Sequence, residues 1–134
     1  MRQLFLLFLL GCLCTVAHAQ DYVAKFNGFH DGKEFEFTVT SELLKNCPEW
    51  TAEQDNPPLS ARRALAVASD YLPKLVTNAE AWEVRDIRLR PVRDKWVYVL
   101  EFWERREGIQ APFMIVVLMN GEVVEPTITK RKLS

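Results

Sequence analysis

Charge of one sign, cysteine, histidine and long apolar runs are all scarce in this chain, and each shortage closes off a class of function. Lysine and arginine number 17 against 18 aspartates and glutamates, a net charge of −1. No global field therefore draws nucleic acid or an anionic lipid surface to it. Every apolar run falls short of the roughly 20 residues that a membrane-spanning helix needs; residues 113–119 have only strand length. Of the three cysteines and two histidines in 134 residues only one of each lies beyond residue 19, and one Cys and one His do not make a set of zinc ligands. A glycine-rich phosphate loop and a G-x-S-x-G nucleophile elbow are also missing. No cofactor, metal or catalytic motif is legible.

What is present begins at the N-terminus. Met1 and Arg2 lead into the apolar run Leu4-Phe5-Leu6-Leu7-Phe8-Leu9-Leu10, and Ala17-His18-Ala19 precedes the polar Gln20-Asp21. A basic start, an apolar middle and an A-x-A exit are the three parts of a secretory signal peptide. The expectation is a signal peptide over 1–19, cleavage after Ala19 and a secreted or periplasmic protein. Leu9-Leu10-Gly11-Cys12 loosely fits a lipobox, but the segment before it is short and the Ala-His-Ala site lies beyond it. A lipid anchor at Cys12 is the lesser alternative. Removing nineteen of the 134 residues leaves 115, takes the net charge from −1 to −2, and leaves Cys47 and His30 as the sole cysteine and histidine. That length holds one core, and a lone cysteine makes no internal disulfide.

The mature chain reads as a single domain, 20–134, in four parts. In 20–47, Phe35, Phe37 and Val39 alternate with Glu34, Glu36 and Thr38, the period of a half-buried strand. Asp31-Gly32 is a tight-turn pair, so residues 22–29 become its hairpin partner. Ser41 is expected to cap a short helix that Pro48 stops. Residues 48–59 form a loop that Trp50 pins to the body. In 60–126, Ser60 caps a helix over about 61–76, with Ala64, Leu65, Ala68, Tyr71, Leu72, Leu75 and Val76 on one face. Pro73 must kink this helix or begin a separate turn. Strands follow over 82–89, 96–103 and 113–119, with a parity change at Arg85-Asp86 that predicts a β-bulge. Arg93-Asp94 and Asn120-Gly121 make the turns, and residues 122–124 return from the second. Pro126 ends that return or sets it at an edge. Residues 127–134 read as a basic, frayed tail. The fold class is α+β, with one main helix on one antiparallel sheet in two layers, preceded by a hairpin.

The helix Pro58-Leu59-Ser60-Ala61-Arg62-Arg63-Ala64-Leu65-Ala66-Val67-Ala68 and the strands Trp82-Glu83-Val84-Arg85-Asp86-Ile87-Arg88-Leu89 and Lys95-Trp96-Val97-Tyr98-Val99-Leu100-Glu101-Phe102 resemble the PepSY and β-lactamase-inhibitor-like group of small exported domains. The resemblance covers residues 58–125. It implies a non-enzymatic binding or inhibitory module and carries no shared catalytic residue. The shape is also similar to cystatin-like folds, but the Q-x-V-x-G loop of cysteine-protease inhibition is missing.

The candidate residues lie on the late strands. Trp96 and Trp103 have opposite parity, so one faces away from the helix, either open to a partner or covered by the hairpin. Aromatics anchor interfaces. Arg85 and Arg88 belong to a basic stripe on the 82–93 segment. Their plainer role is pairing with Glu83, Asp86, Asp94 and Glu101, and at a net charge of −2 that role outweighs polyanion binding. Arg105 and Arg106 stand in the charged loop 104–110. Cys47 is a candidate free thiol, and His30, beside a hairpin turn, is expected in solvent.

The function expected is recognition of another extracytoplasmic protein, by the open sheet face or the 104–110 loop, with no nucleic acid and no membrane span. The alternatives are a structural or self-associating role, as a homodimer through a strand edge or a Cys47 bridge, and a small hydrolase built on a Cys47–His30 pair.

Overall fold

A computed structural model describes residues 21–106, 108 and 111–131. The segment 1–19, expected from the sequence to be a signal peptide and containing Cys12, lies outside the described residues.

The N-terminal hairpin pairs β1 (Tyr22–His30) with β2 (Lys33–Thr40) in antiparallel register, Gly28 opposite Phe35 and Phe26 opposite Phe37. Its turn needs two residues at positive φ, and Asp31 (49°) and Gly32 (68°) supply them. Phe35, Phe37 and Val39 are buried, while the glutamates between them face outward and tie the strands, Lys25 to Glu36 at 3.0 Å and Asn27 to Glu34 at 3.1 Å.

A short helix, α1 (Ser41–Lys45), follows directly. Its cap is Thr40, one residue earlier than the sequence suggests, with Oγ1 accepting from the Leu43 N–H at 3.3 Å. Ser41 is instead held from outside: its N–H donates to the Asp21 carbonyl and its hydroxyl accepts from Arg93. The loop that follows is pinned by Trp50, which stands edge-on against Trp96 with centroids 5.2 Å apart.

The main helix, α2 (Ala61–Tyr71), starts at Ser60, whose Oγ accepts from the Arg63 N–H. Ala64, Ala68 and Leu72 fall one turn apart and are buried against the late strands. The two alanines bring the helix axis close to the sheet. Pro73 does not kink α2. It sits in a separate 3-10 turn, Leu72–Lys74, near whose start a missing N–H costs nothing.

Three strands form the second sheet: β3 (Trp82–Val92), β4 (Lys95–Glu104) and β5 (Phe113–Leu118), in that order and all antiparallel. The register slips between Val84 and Asp86. This bulge puts Val84, Ile87 and Leu89 on one face although their parity differs. β4 and β5 are buried on both faces. After β5 the chain turns at Asn120-Gly121, and Val123 makes a single bridge back to Val117.

Two expectations need correction. The tail does not fray from residue 127: β6 (Pro126–Lys130) pairs with the free edge of β2, Ile128 opposite Phe35. Thr127, Ile128 and Thr129 are β-branched and suit a strand, and Pro126 opens it where no ladder N–H is needed. Nor is there one sheet beneath a helix. The architecture is α+β with two three-stranded antiparallel sheets, β1-β2-β6 and β3-β4-β5, and one main helix.

The sheets meet where β1 crosses β5. A Cβ on Gly28 would lie 3.3 Å from Phe113 Cδ2 and 3.4 Å from the Met114 nitrogen, so only glycine fits without displacement. Gly28→Val should destabilise the domain by roughly 1–3 kcal/mol, read as a lowered midpoint in thermal or urea unfolding. A midpoint unchanged from wild type would mean that the sheets are not in contact there.

Helix and sheet are joined by Tyr98, whose buried hydroxyl donates to the Leu59 carbonyl at 2.7 Å just ahead of α2. The Leu59 N–H in turn approaches Met119 Sδ at 3.4 Å. Burial raises the Tyr98 phenol above its ordinary value of about 10. The folded state thus holds this proton more tightly than the unfolded chain. Its stability contribution is intact below about pH 10 and is lost as pH climbs through the raised value. Tyr98→Phe should remove part of the alkaline loss of stability. It should also cost roughly 1–2 kcal/mol at neutral pH, where the Leu59 carbonyl loses its donor. Unfolding curves across the alkaline range check both.

Candidate functional site

The β3–β4 ladder separates the candidate residues by face. On one face Val84, Ile87, Leu89 and Pro91 stand opposite Phe102, Leu100, Tyr98 and Trp96, and α2 packs over the β4 part of it. On the other, Glu83, Asp86, Arg88 and Arg90 stand opposite Trp103, Glu101, Val99 and Val97. Trp103 is therefore the outward tryptophan and Trp96 the inward one, its ring occupied by Trp50.

The hairpin covers the outward face only in part. Phe26 reaches a small cavity bounded by Val99, Met114, Arg88 and Arg90, leaving β3 at the margin. There the Arg85 guanidinium lies 5.4 Å from the centroid of the half-buried Trp103 ring, a cation–π distance. Its Nη2 is also 3.2 Å from Glu83. Arg88 is clamped between Asp86 and Glu101, the latter at 3.1 Å. As exposed pairs these contribute little to stability, but they fix one guanidinium over the Trp103 ring and a second on the same face of the strand. Arg85, Arg88 and Trp103 form one surface.

Arg105 and Arg106 do not join it. The Arg105 backbone N–H donates to the Ala81 carbonyl at 2.7 Å and its guanidinium to the Glu80 backbone carbonyl at 2.6 Å, which ties the end of β4 to the start of β3. The Arg106 Nε lies 2.9 Å from Glu104. The rest of the 104–110 loop is described only at Gly108.

His30 is not in solvent as its place beside a turn suggests. Its ring is edge-on to Trp82 (5.1 Å) and Phe113 (6.5 Å), half buried at the meeting of the sheets. Sequence reasoning missed this cluster, whose only signal was that His30 and Phe113 both flank the ends of apolar strands. Cys47 is buried, its thiol 3.4 Å from the Leu43 carbonyl, while Lys95 donates to its carbonyl. It follows the Thr40 end of β2 and His30 precedes the Lys33 end. Cys47 is hydrogen-bonded to Lys95 at the start of β4, whereas His30 packs on Trp82, which stands opposite Glu104 at the other end of that strand, so no Cys47–His30 pair is assembled.

Among the described residues, no group of three or more His, Cys, Asp or Glu side chains is placed to hold a metal ion, and no helix is long and apolar enough to cross a membrane.

Compared with known proteins, the chain matches no family model, no curated protein and no solved structure.

Burial also sets the reactivity of Cys47. A thiol-specific reagent should label it slowly in the folded protein and rapidly in denaturant. Non-reducing electrophoresis of the protein should show no Cys47-linked dimer. Immediate native labelling would place the thiol at the surface.

Proposed function

We propose that this chain is an exported, non-enzymatic binding module that recognises another extracytoplasmic protein through the outward face of β3 and β4. The observation that carries the reading is the Arg85–Trp103 stack, held at the margin of the outward face, beside the buried Val97 and Val99 of β4. Tryptophan and arginine dominate the energetics of protein interfaces. Here both are presented at low entropic cost, because Glu83, Asp86 and Glu101 already fix the guanidinium planes. The N-terminal layout of residues 1–19 supports an extracytoplasmic site of action. The PepSY-like order of residues 58–125 supports a binding or inhibitory role. A Cys47-dependent hydrolase loses support from the burial of the thiol and its distance from His30.

The test is mild cross-linking of the tagged chain in its native extracytoplasmic extract, followed by mass spectrometry, for wild type and for Trp103→Ala. One dominant foreign protein should be captured by wild type. Its affinity for the variant should fall by about thirtyfold or more, the scale of an interface hot spot, with the unfolding midpoint near that of wild type. Recovery of bait alone, or equal capture by the variant, would sink the proposal.

A further inference from the structure

β3 is an edge strand. Among the described residues its only strand neighbour is β4, and no backbone hydrogen bond from outside the sheet reaches its other side within residues 86–90. Natural edges are blunted to prevent indiscriminate pairing, and β3 carries two such devices. The bulge at Arg85 breaks its register at one end, and Pro91 removes a donor at the other. Between them lies a regular stretch, Asp86-Ile87-Arg88-Leu89-Arg90, whose pairing groups remain open.

That stretch is complementary to itself. We infer that β3 pairs antiparallel with β3 of a second copy of this chain, about a two-fold axis through Arg88, the midpoint between the bulge and Pro91. An axis perpendicular to the sheet keeps the helix-covered faces of both copies on one side. In this register Asp86 of each copy stands opposite Arg90 of the other, twice by symmetry, and Ile87 stands opposite Leu89, also twice.

Three observations select this occupant. Arg90 is exposed and, among the described residues, has no ion-pair partner within its own chain; Asp86 of the second copy supplies one. Ile87 and Leu89 lie on the helix side of the sheet yet remain half exposed, because α2 covers β4 and β5 rather than β3. They line an apolar groove of about 480 Å³ with Pro57, Ala61 and Tyr98. Across the axis the two grooves join, and each copy's Ile87 and Leu89 cover the other's. The one like-charge contact, Arg88 against Arg88, is offset because each guanidinium is already clamped by its own Asp86 and Glu101. The result is a continuous six-stranded sheet that leaves Arg85 and Trp103 of both copies uncovered on the opposite face. The pairing is independent of the partner recognition proposed above.

The experiment is sedimentation velocity of the exported full chain over a wide concentration range, for wild type, Arg90→Asp, Asp86→Arg and an equimolar mixture of the two variants. Wild type should move reversibly from monomer to dimer as concentration rises. Each variant alone places like charges opposite each other twice and should weaken dimerisation at least about tenfold. The mixture should recover it. In the mixed dimer one contact joins the native Asp86 and Arg90, and the other joins the two introduced side chains, which carry opposite charges. Recovery on mixing also shows that both variants are folded. A wild type that stays monomeric overturns the inference, as does a dimer that neither variant weakens or a mixture that does not recover. In a monomeric wild type, binding of an extended acidic peptide that Arg90→Asp abolishes would assign the same edge to a foreign strand instead.

Discussion

Phe113 stands where the two sheets meet, and four rings are set edge-on around it: Phe35 at 4.9 Å, Trp82 at 5.9 Å, Phe37 at 6.4 Å and His30 at 6.5 Å. These come from β1, β2 and the first residue of β3, so one side chain joins three strands that never pair with its own. Edge-to-face packing is directional, which fixes the angle at which the hairpin lies across the late strands as well as its distance. Gly28 completes the arrangement by leaving room for the Phe113 ring and the backbone beyond it. Two small sheets, each unable to bury both faces alone, become one core through this contact.

The second join is polar and holds the helix. Tyr98 and Met119 rise from the late strands to meet the two backbone groups of Leu59, the residue before the Ser60 cap. The start of α2 is thereby set by the sheet as well as by its own capping hydroxyl. Since α2 is anchored over β4 and β5, β3 is left beyond the helix. The half exposure of Ile87 and Leu89 follows from where the helix is tied, not from any weakness in the apolar pattern of β3.

Local chemistry was the part of the fold legible in the sequence. Strict alternation over residues 33–40 named β2, Asp31-Gly32 named its turn, Ser60 named the start of α2, and the parity change at Arg85-Asp86 named the bulge. Each is decided by backbone geometry within a few residues. What stayed hidden depends on separations of many tens of residues. β6 looked like a tail because a proline opens it and Thr127, Thr129 and Lys130 are polar; its place is set by the open edge of β2, about ninety residues earlier in the chain. The division into two sheets was likewise invisible, since alternation tells which residues share a face but not which strands share a ladder. His30 was misplaced for the same reason: a turn-flanking position implies solvent only if no second sheet arrives there. The pairing of Trp96 with Trp50 used up one of two tryptophans that parity alone could not tell apart by exposure.

The surface that remains is a consequence of the bulge. In a regular ladder without the bulge, with Arg85 paired in its turn, Val84 and Ile87 would lie on opposite faces of β3, and an apolar side chain would be turned out of the core at one end of the strand. With it, the apolar residues share the helix side, and Glu83, Asp86, Arg88 and Arg90 are collected on the other. The bulged Arg85 itself, freed from a ladder partner, is the residue that folds over Trp103. A single inserted residue thus places the cation on the ring, gathers the charges that hold it, and interrupts the strand edge so that only residues 86–90 remain open to another chain. Placement of the outward tryptophan, the arginine over it and the limit on edge pairing share one backbone origin. A change that removed the bulge would disturb all three together while leaving the contacts of Phe113 with Phe35, Phe37 and His30, which come from the hairpin, in place.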